Sequence, residues 1–124
     1  MTLRMLVIEE DPEARSLLRA AGRREGFDVV ETARGGEAIE ILSTQSFDVV
    51  VLDLVLPRVR GEDVLAYYHG RYPGRRNVVI LSPADMGPLS TIAPPEVFGV
   101  ATKPLDFAAI RSMLHACARQ QEAA

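Results

Sequence analysis

Apolar residues in this chain arrive in two alternating rhythms. Short β-type runs occupy Met5–Ile8, Val29–Val30, Val49–Leu52, Val78–Leu81 and Val97–Ala101. Three of them are continuous apolar blocks, the pattern of parallel strands covered on both faces. Helical stripes lie between. Ala14, Leu17, Leu18 and Ala21 fall at i, i+3, i+4 and i+7, as do Ile110, Met113, Leu114 and Cys117, each forming one apolar face. Ala38, Ile41 and Leu42 make a shorter stripe, and Leu65, Tyr68 and Tyr72 another.

The boundary residues agree with this reading. Asp11-Pro12 offers a side-chain cap followed by proline at the first helical position. Asp106 can cap the last helix in the same way, and Gly26 can end the first. Strands alternating with helices at this spacing imply βαβ units with right-handed crossovers. Five strands predict an α/β, flavodoxin-like, doubly wound parallel sheet of order 2-1-3-4-5 with helices on both faces. The pattern breaks once. Pro83 to Gly99 carries four prolines, so the fourth helix is expected to be short or irregular, opening at best at Pro88 and stopping before Pro94-Pro95.

Length and charge narrow the class. The 124 residues predict one domain, 1–124, and 48% hydrophobic with 25% charged residues is globular composition. A formal net charge of −3 argues against direct nucleic-acid binding, and the pairs Arg23-Arg24 and Arg75-Arg76 read as solvated faces. No apolar stretch approaches the roughly 20 residues that span a bilayer, and acids by Glu9 exclude a signal peptide. Cys117, the single cysteine, allows no internal disulfide and sits on the last helix's apolar stripe. A cytoplasmic protein without membrane contact is the expectation.

One residue resists a purely structural explanation. Val49, Val50, Val51 and Leu52 run straight into Asp53, and an unpaired carboxylate buried in an apolar run costs several kcal/mol. In an open parallel sheet, however, functional groups gather at the carboxyl ends of the strands. Those ends carry Glu9, Glu10 and Asp11 after strand one, Asp53 at strand three, Ser82 at strand four and Lys103-Pro104 at strand five. Clustered carboxylates with no histidine or cysteine nearby favour a hard cation such as Mg²⁺. Lys103 offers a point charge for an anion and Ser82 a hydroxyl donor. An aspartate beside Mg²⁺ and lysine is a nucleophile suited to a phosphoryl group. Strand-end acids also cap helices, as Asp11 does here, but four such residues on one rim exceed what capping requires.

In this order and spacing, the sequence resembles the receiver domain of two-component response regulators across essentially its whole length. The resemblance rests on the acidic pair Glu9-Glu10, on Asp53 followed by Pro57 and Gly61, on Ser82 and on Lys103-Pro104. It implies a CheY-like fold and a cis bond before Pro104. It further implies that Asp53 accepts a phosphoryl group from a sensor histidine kinase or a histidine phosphotransfer protein. Glu10, Asp53 and the Val55 carbonyl would hold Mg²⁺, with Glu9 assisting through water. Lys103 would pair with the phosphoryl oxygens, and Ser82 would move to bond one of them, the family's switch. Such a protein is not an enzyme toward outside substrates; it catalyses only its own phosphotransfer and dephosphorylation.

Three positions depart from the family pattern. Glu10 replaces the usual aspartate, and its extra methylene moves the carboxylate outward or forces a different rotamer. Pro83 follows Ser82 where a small residue is usual. Val100 occupies the switch position at which many receivers carry a rotating aromatic ring. With no output domain in residues 1–124, the expectation is a stand-alone receiver acting by protein–protein contact on a downstream partner. The alternative is a phosphorylation-independent pseudo-receiver, an interaction module on the same fold. A nucleotide or flavin site would need a Gly- or Ser/Thr-rich phosphate loop, and the acidic segment after strand one is the opposite of that. A phosphatase of the aspartate-nucleophile type would normally carry its paired aspartates after the first strand. His69 and His115 lack an acid partner at helical spacing and are not read as catalytic. Tyr67, Tyr68 and Tyr72 are read as packing and rim of the third helix.

Overall fold

The computed structural model describes residues 2–83 and 97–123. The expected short helix between Pro83 and Gly99 lies almost wholly outside the described residues. Five strands, β1 (Leu3–Ile8), β2 (Phe27–Thr32), β3 (Val49–Asp53), β4 (Val78–Ser82) and β5 (Val97–Thr102), form one sheet of order β2-β1-β3-β4-β5 with every neighbour parallel. Four helices are described: α1 (Pro12–Arg24), α2 (Gly35–Thr44), α3 (Gly61–Arg71) and α4 (Phe107–Ala123). The strand order is the one the periodicity predicts, and β1, β3 and β4, the three internal strands, are the unbroken apolar blocks. β2 runs well beyond Val29–Val30 because an edge strand needs only one apolar face.

Strand alternation divides the core in two. Leu6, Ile8, Val50, Leu52 and Ile80 pack toward Ala38, Leu42, Val64 and Leu65 of α2 and α3. Met5, Val7, Val51, Val79 and Leu81 pack toward Leu18 and Ala21 of α1 and Ile110, Leu114 and Cys117 of α4. The capping signals are realised. Asp11 accepts from the Glu13 and Ala14 amides at 3.3 and 3.4 Å, Asp106 accepts from the Ala109 amide at 2.8 Å, and Gly26 takes φ +86° after α1. Cys117 is buried in the core. Among the described residues no helix is long and apolar enough to cross a membrane.

At the end of the sheet remote from the acidic rim, α3 is tied down by a buried polar network. The Tyr68 hydroxyl donates to Asn77 Oδ1 at 2.6 Å, and Asn77 Nδ2 donates to the Phe47 and Asp48 carbonyls at 3.0 and 3.1 Å. Burial raises the Tyr68 pKa, so the phenol stays a donor. Tyr68→Phe leaves Asn77 Oδ1 without its donor and is expected to cost about 1–2 kcal/mol in urea unfolding. Chemistry at the opposite end of the strands should be unchanged.

Candidate functional site

The strand ends deliver their side chains into one cleft lined by Glu9, Glu10, Asp11, Pro12, Asp53, Val55, Pro83 and Lys103. The Glu9 amide donates to the Thr32 carbonyl at 3.0 Å, carrying the β1–β2 ladder one residue past Ile8. The Lys103 amide donates to the Ser82 carbonyl at 2.8 Å and does the same for β4–β5. The Lys103–Pro104 peptide is cis.

Asp53 is the last residue of β3 and only 2% exposed, so it is not a rim residue but a buried one. Its burial is compensated on both oxygens. Oδ1 accepts from the Val55 amide at 2.9 Å and Oδ2 from Lys103 Nζ at 2.9 Å. Glu9, 1% exposed, is the second buried acid. Its Oε1 lies 2.6 Å from Lys103 Nζ and its Oε2 accepts from the Asp11 amide at 3.0 Å. Lys103 is thus the hub between two carboxylates, and the buried group carries one negative charge in excess when all three ionise.

The titration shifts follow from this. Burial, then the bond shared with Asp53, raises the Glu9 pKa above its ordinary 4.5; Lys103 and the Asp11 amide only partly offset them. Burial by itself would lower the Lys103 pKa, but the bonds to Glu9 and Asp53 outweigh it and raise it above 10.5. A site whose buried Glu9 is pushed toward protonation while its lysine stays charged has room for additional positive charge.

Of the remaining sequence-derived residues, Glu10 and Val55 line this cleft, whereas Ser82, Val100, Pro57 and Gly61 are not among its lining residues. Glu10 is exposed at the cleft mouth. Val55 is 57% exposed beside it. Ser82 is buried, with its hydroxyl donating to the Pro83 carbonyl at 3.2 Å. Val100 is half-buried on β5 and packs against the α2–α3 face of the core. Pro57 is exposed in the β3–α3 loop, where Arg58 adopts φ +65°. Gly61 has a packing reason. A Cβ there would fall against the Asp53 carbonyl oxygen and 2.5 Å from Leu54 Cα, because the start of α3 lies directly on the loop that follows Asp53.

The donor set is oxygen only: the carboxylates of Glu9, Glu10 and Asp53, with the Val55 backbone alongside. Among the described residues no three acid, histidine or cysteine side chains converge into a ready-made metal cage. Mg²⁺ needs none, since it keeps several waters and takes one or two carboxylates. The residues present therefore fit that ion.

Sequence reasoning missed two partnerships. Arg15, on α1, donates to the carbonyls of both Glu9 and Glu10; its position one turn into the helix was the available signal. His115 does have an acid neighbour, Glu25, 3.2 Å away. That contact joins α4 to the end of α1, so helical spacing could not reveal it. Arg111 also bonds Glu25 at 2.9 Å, which holds that carboxyl below its ordinary pKa.

Comparison with known proteins bears on what this cleft is. Residues 5–115 match the response regulator receiver domain family. The chain is 32% identical over 106 residues to Protein Rrf1 of Nitratidesulfovibrio vulgaris, covering 86% of this chain and 75% of that protein. It is 40% identical over 58 residues to the transcriptional activator protein PfeR of Pseudomonas aeruginosa, covering 47% of this chain but 19% of that one. Of the response regulator PilR from the same species it covers 24%, at 26% identity over 88% of this chain. The chain thus spans about a quarter or less of these two longer relatives. Among solved structures, the signal receiver domain of a Luxo repressor protein from Vibrio parahaemolyticus superposes with TM-score 0.88 at 19% identity, covering 99% of this chain and 95% of that one. The receiver domain of the Pseudomonas aeruginosa sensor histidine kinase PA1611, solved with a magnesium ion in its active-site cleft, gives TM-score 0.82 at 19% identity, covering 96% and 99%. With the strand order, the acidic cleft and the sequence match in agreement, the chain belongs to the response regulator receiver domain family of two-component signal transduction.

Proposed function

We propose that Asp53 is the phosphoacceptor of this receiver and that Glu9, Glu10, Asp53 and the Val55 carbonyl serve a Mg²⁺ ion. The observation that carries the reading is the buried Glu9–Lys103–Asp53 group, with Lys103 Nζ at 2.6 and 2.9 Å from its two carboxylates. An Asp53 oxygen attacks phosphorus of a phosphohistidine on a sensor histidine kinase or phosphotransfer protein. The new P–O bond forms as the P–N bond breaks, and the imidazole nitrogen keeps the electron pair and takes a proton from water. Mg²⁺, when bound, neutralises charge that builds on the phosphoryl oxygens. Lys103 keeps its charge and swings part of its bonding from Asp53 to a phosphoryl oxygen. Ser82, on the adjacent strand end, supplies a hydroxyl donor to another, and Val100 belongs to the surface that reads the change. Pro57, Gly61 and Pro104 hold the loops that carry Asp53 and Lys103. The protein acts in the cytoplasm and passes its signal by contact with a downstream protein, without binding nucleic acid itself.

The deciding experiment is intact-mass measurement after incubation with a small phosphodonor such as acetyl phosphate. Wild type with Mg²⁺ gains one phosphoryl group, wild type in chelator gains none, and Asp53→Asn gains none under either condition. An adduct that persists in Asp53→Asn, or no adduct in wild type with any donor or kinase, overturns the reading.

A further inference from the structure

The Glu9 side chain holds one backbone group of the acidic turn, the Asp11 amide, at 3.0 Å. Beyond Glu9 the β1–β2 ladder stops, and the Glu9–Glu10–Asp11 turn is gripped from one side by a single residue, Arg15. Its Nη1 donates to the Glu9 carbonyl at 3.0 Å and to the Glu10 carbonyl at 2.9 Å. The Arg15 guanidinium is itself held by Glu31 of β2, through Nε at 3.4 Å, and Glu31 is fixed in turn by Arg19 Nη1 at 2.9 and 2.8 Å.

A trans peptide points its C=O and its N–H in opposite directions. The unit joining Glu10 to Asp11 has its oxygen on Arg15 and its N–H, the Asp11 amide, on Glu9 Oε2 at 3.0 Å. Drawing the oxygen one way therefore aims the hydrogen the other way, into the cleft. We propose that Arg15 is a positioning residue: by clamping the Glu9 and Glu10 carbonyls it orients the Glu10–Asp11 peptide so that its N–H holds the Glu9 carboxylate, and it sets where the Glu10 side chain leaves the backbone. For its functional consequence the inference rests on the Mg²⁺ reading of the site. Loss of the clamp lets that peptide rotate, and both acids lose the geometry they present to the ion. A lysine cannot replace it, because a single ammonium lacks the planar fork that spans Glu31 and two carbonyls at once.

The test uses the full chain as wild type, Arg15→Met, Arg15→Lys and, as a milder perturbation of the same network, Glu31→Gln. Amide hydrogen exchange followed by NMR without metal reads the peptide directly; a Mg²⁺ titration reads the consequence. In Arg15→Met and Arg15→Lys the Asp11 amide should exchange at least about tenfold faster, while the amides of the later turns of α1 keep their protection. Mg²⁺ affinity should fall roughly tenfold, the size typical of losing an outer-shell partner. Glu31→Gln should move both readouts in the same direction by less. Unaltered Asp11 exchange in the folded variants overturns the inference. So does uniform acceleration throughout α1, which would make Arg15 a plain helix anchor, or wild-type behaviour of Arg15→Lys, which would reduce its role to charge. Should wild type take up no Mg²⁺ while Asp11 exchange still responds to Arg15→Met, the clamp stands and the metal reading falls.

Discussion

Lys103→Met is expected to cost about 2 kcal/mol of folding stability at pH 7–8 in metal-free buffer, and much less near pH 4.5. Glu9 and Asp53 are both nearly inaccessible, and Lys103 is the cation they share. Removing one partner of a buried pair typically costs about 3–5 kcal/mol because the other charge is left uncompensated. The lower figure reflects the cleft, which leaves Lys103 itself 30% exposed, so that solvent already screens part of its attraction to the two acids. The sign of the pH dependence follows from Glu9. Its folded pKa lies above 4.5, so the folded state holds a proton that the unfolded state releases. Stability is therefore fully present below pH 4.5 and declines as pH rises through the folded value. Without Lys103, a group that lowers the Glu9 pKa is gone, the window widens, and the variant falls further behind wild type as pH increases. Wild type, in contrast, keeps the benefit of the Lys103 charge in full below pH 10.5 and loses it as pH rises through the higher folded value. Millimolar Mg²⁺ should restore part of the variant's loss, because the ion supplies the missing positive charge. Urea unfolding between pH 4.5 and 8, with chelator and with Mg²⁺, checks all three statements; a loss independent of pH would show that Lys103 acts here by packing alone.

Gly61→Ala should cost about 2–3 kcal/mol, the range of overpacking in a well-packed site, and should slow labelling of Asp53 several-fold. The added methyl group meets backbone, not a flexible side chain: the Asp53 carbonyl, Leu54 Cα and, at 2.8 Å, the Leu54 carbonyl oxygen. Relief requires the start of α3 to move away from the loop after Asp53, breaking the 3.2 Å bond from the Gly61 amide to the Leu54 carbonyl. That loop supplies the Val55 amide that holds Asp53 Oδ1, so stability and phosphorylation should suffer together. Gly70 on the same helix is the control. A Cβ there meets nothing within 4 Å, and Gly70→Ala should stabilise the protein by about 0.5–1 kcal/mol through helix propensity, with labelling untouched. Equal behaviour of the two alanine variants in urea unfolding would remove the packing explanation for Gly61.

The elements of the fold were legible because each rests on local chemistry. Apolar blocks such as Val49–Leu52 and Val78–Leu81 announce internal strands, and Asp11-Pro12 and Asp106 announce helix starts; none of these needs a distant partner. The wider extent of β2, by contrast, comes from pairing with β1 from Leu3↔Phe27 to Ile8↔Thr32, which polar residues on the outer face conceal. The Glu25–His115 contact is invisible for the same reason: the two residues meet only where α1 packs on α4.

The site divides along the same line. Sequence by itself placed the candidate residues at one end of the sheet, because every parallel strand delivers its last residues to the same edge. It therefore brought Glu9, Glu10, Asp53, Ser82 and Lys103 together, and it identified Asp53 as the unusual carboxylate. Only the tertiary structure decided that Asp53 is buried, that Glu9 rather than Glu10 is the acid held on Lys103, and that Arg15 secures the turn between them. Adjacent residues leave an extended backbone on opposite sides, so one of Glu9 and Glu10 had to face inward. Which one does so depends on where β3 and β5 place Asp53 and Lys103 beside β1, a distance in space that no spacing along the chain encodes.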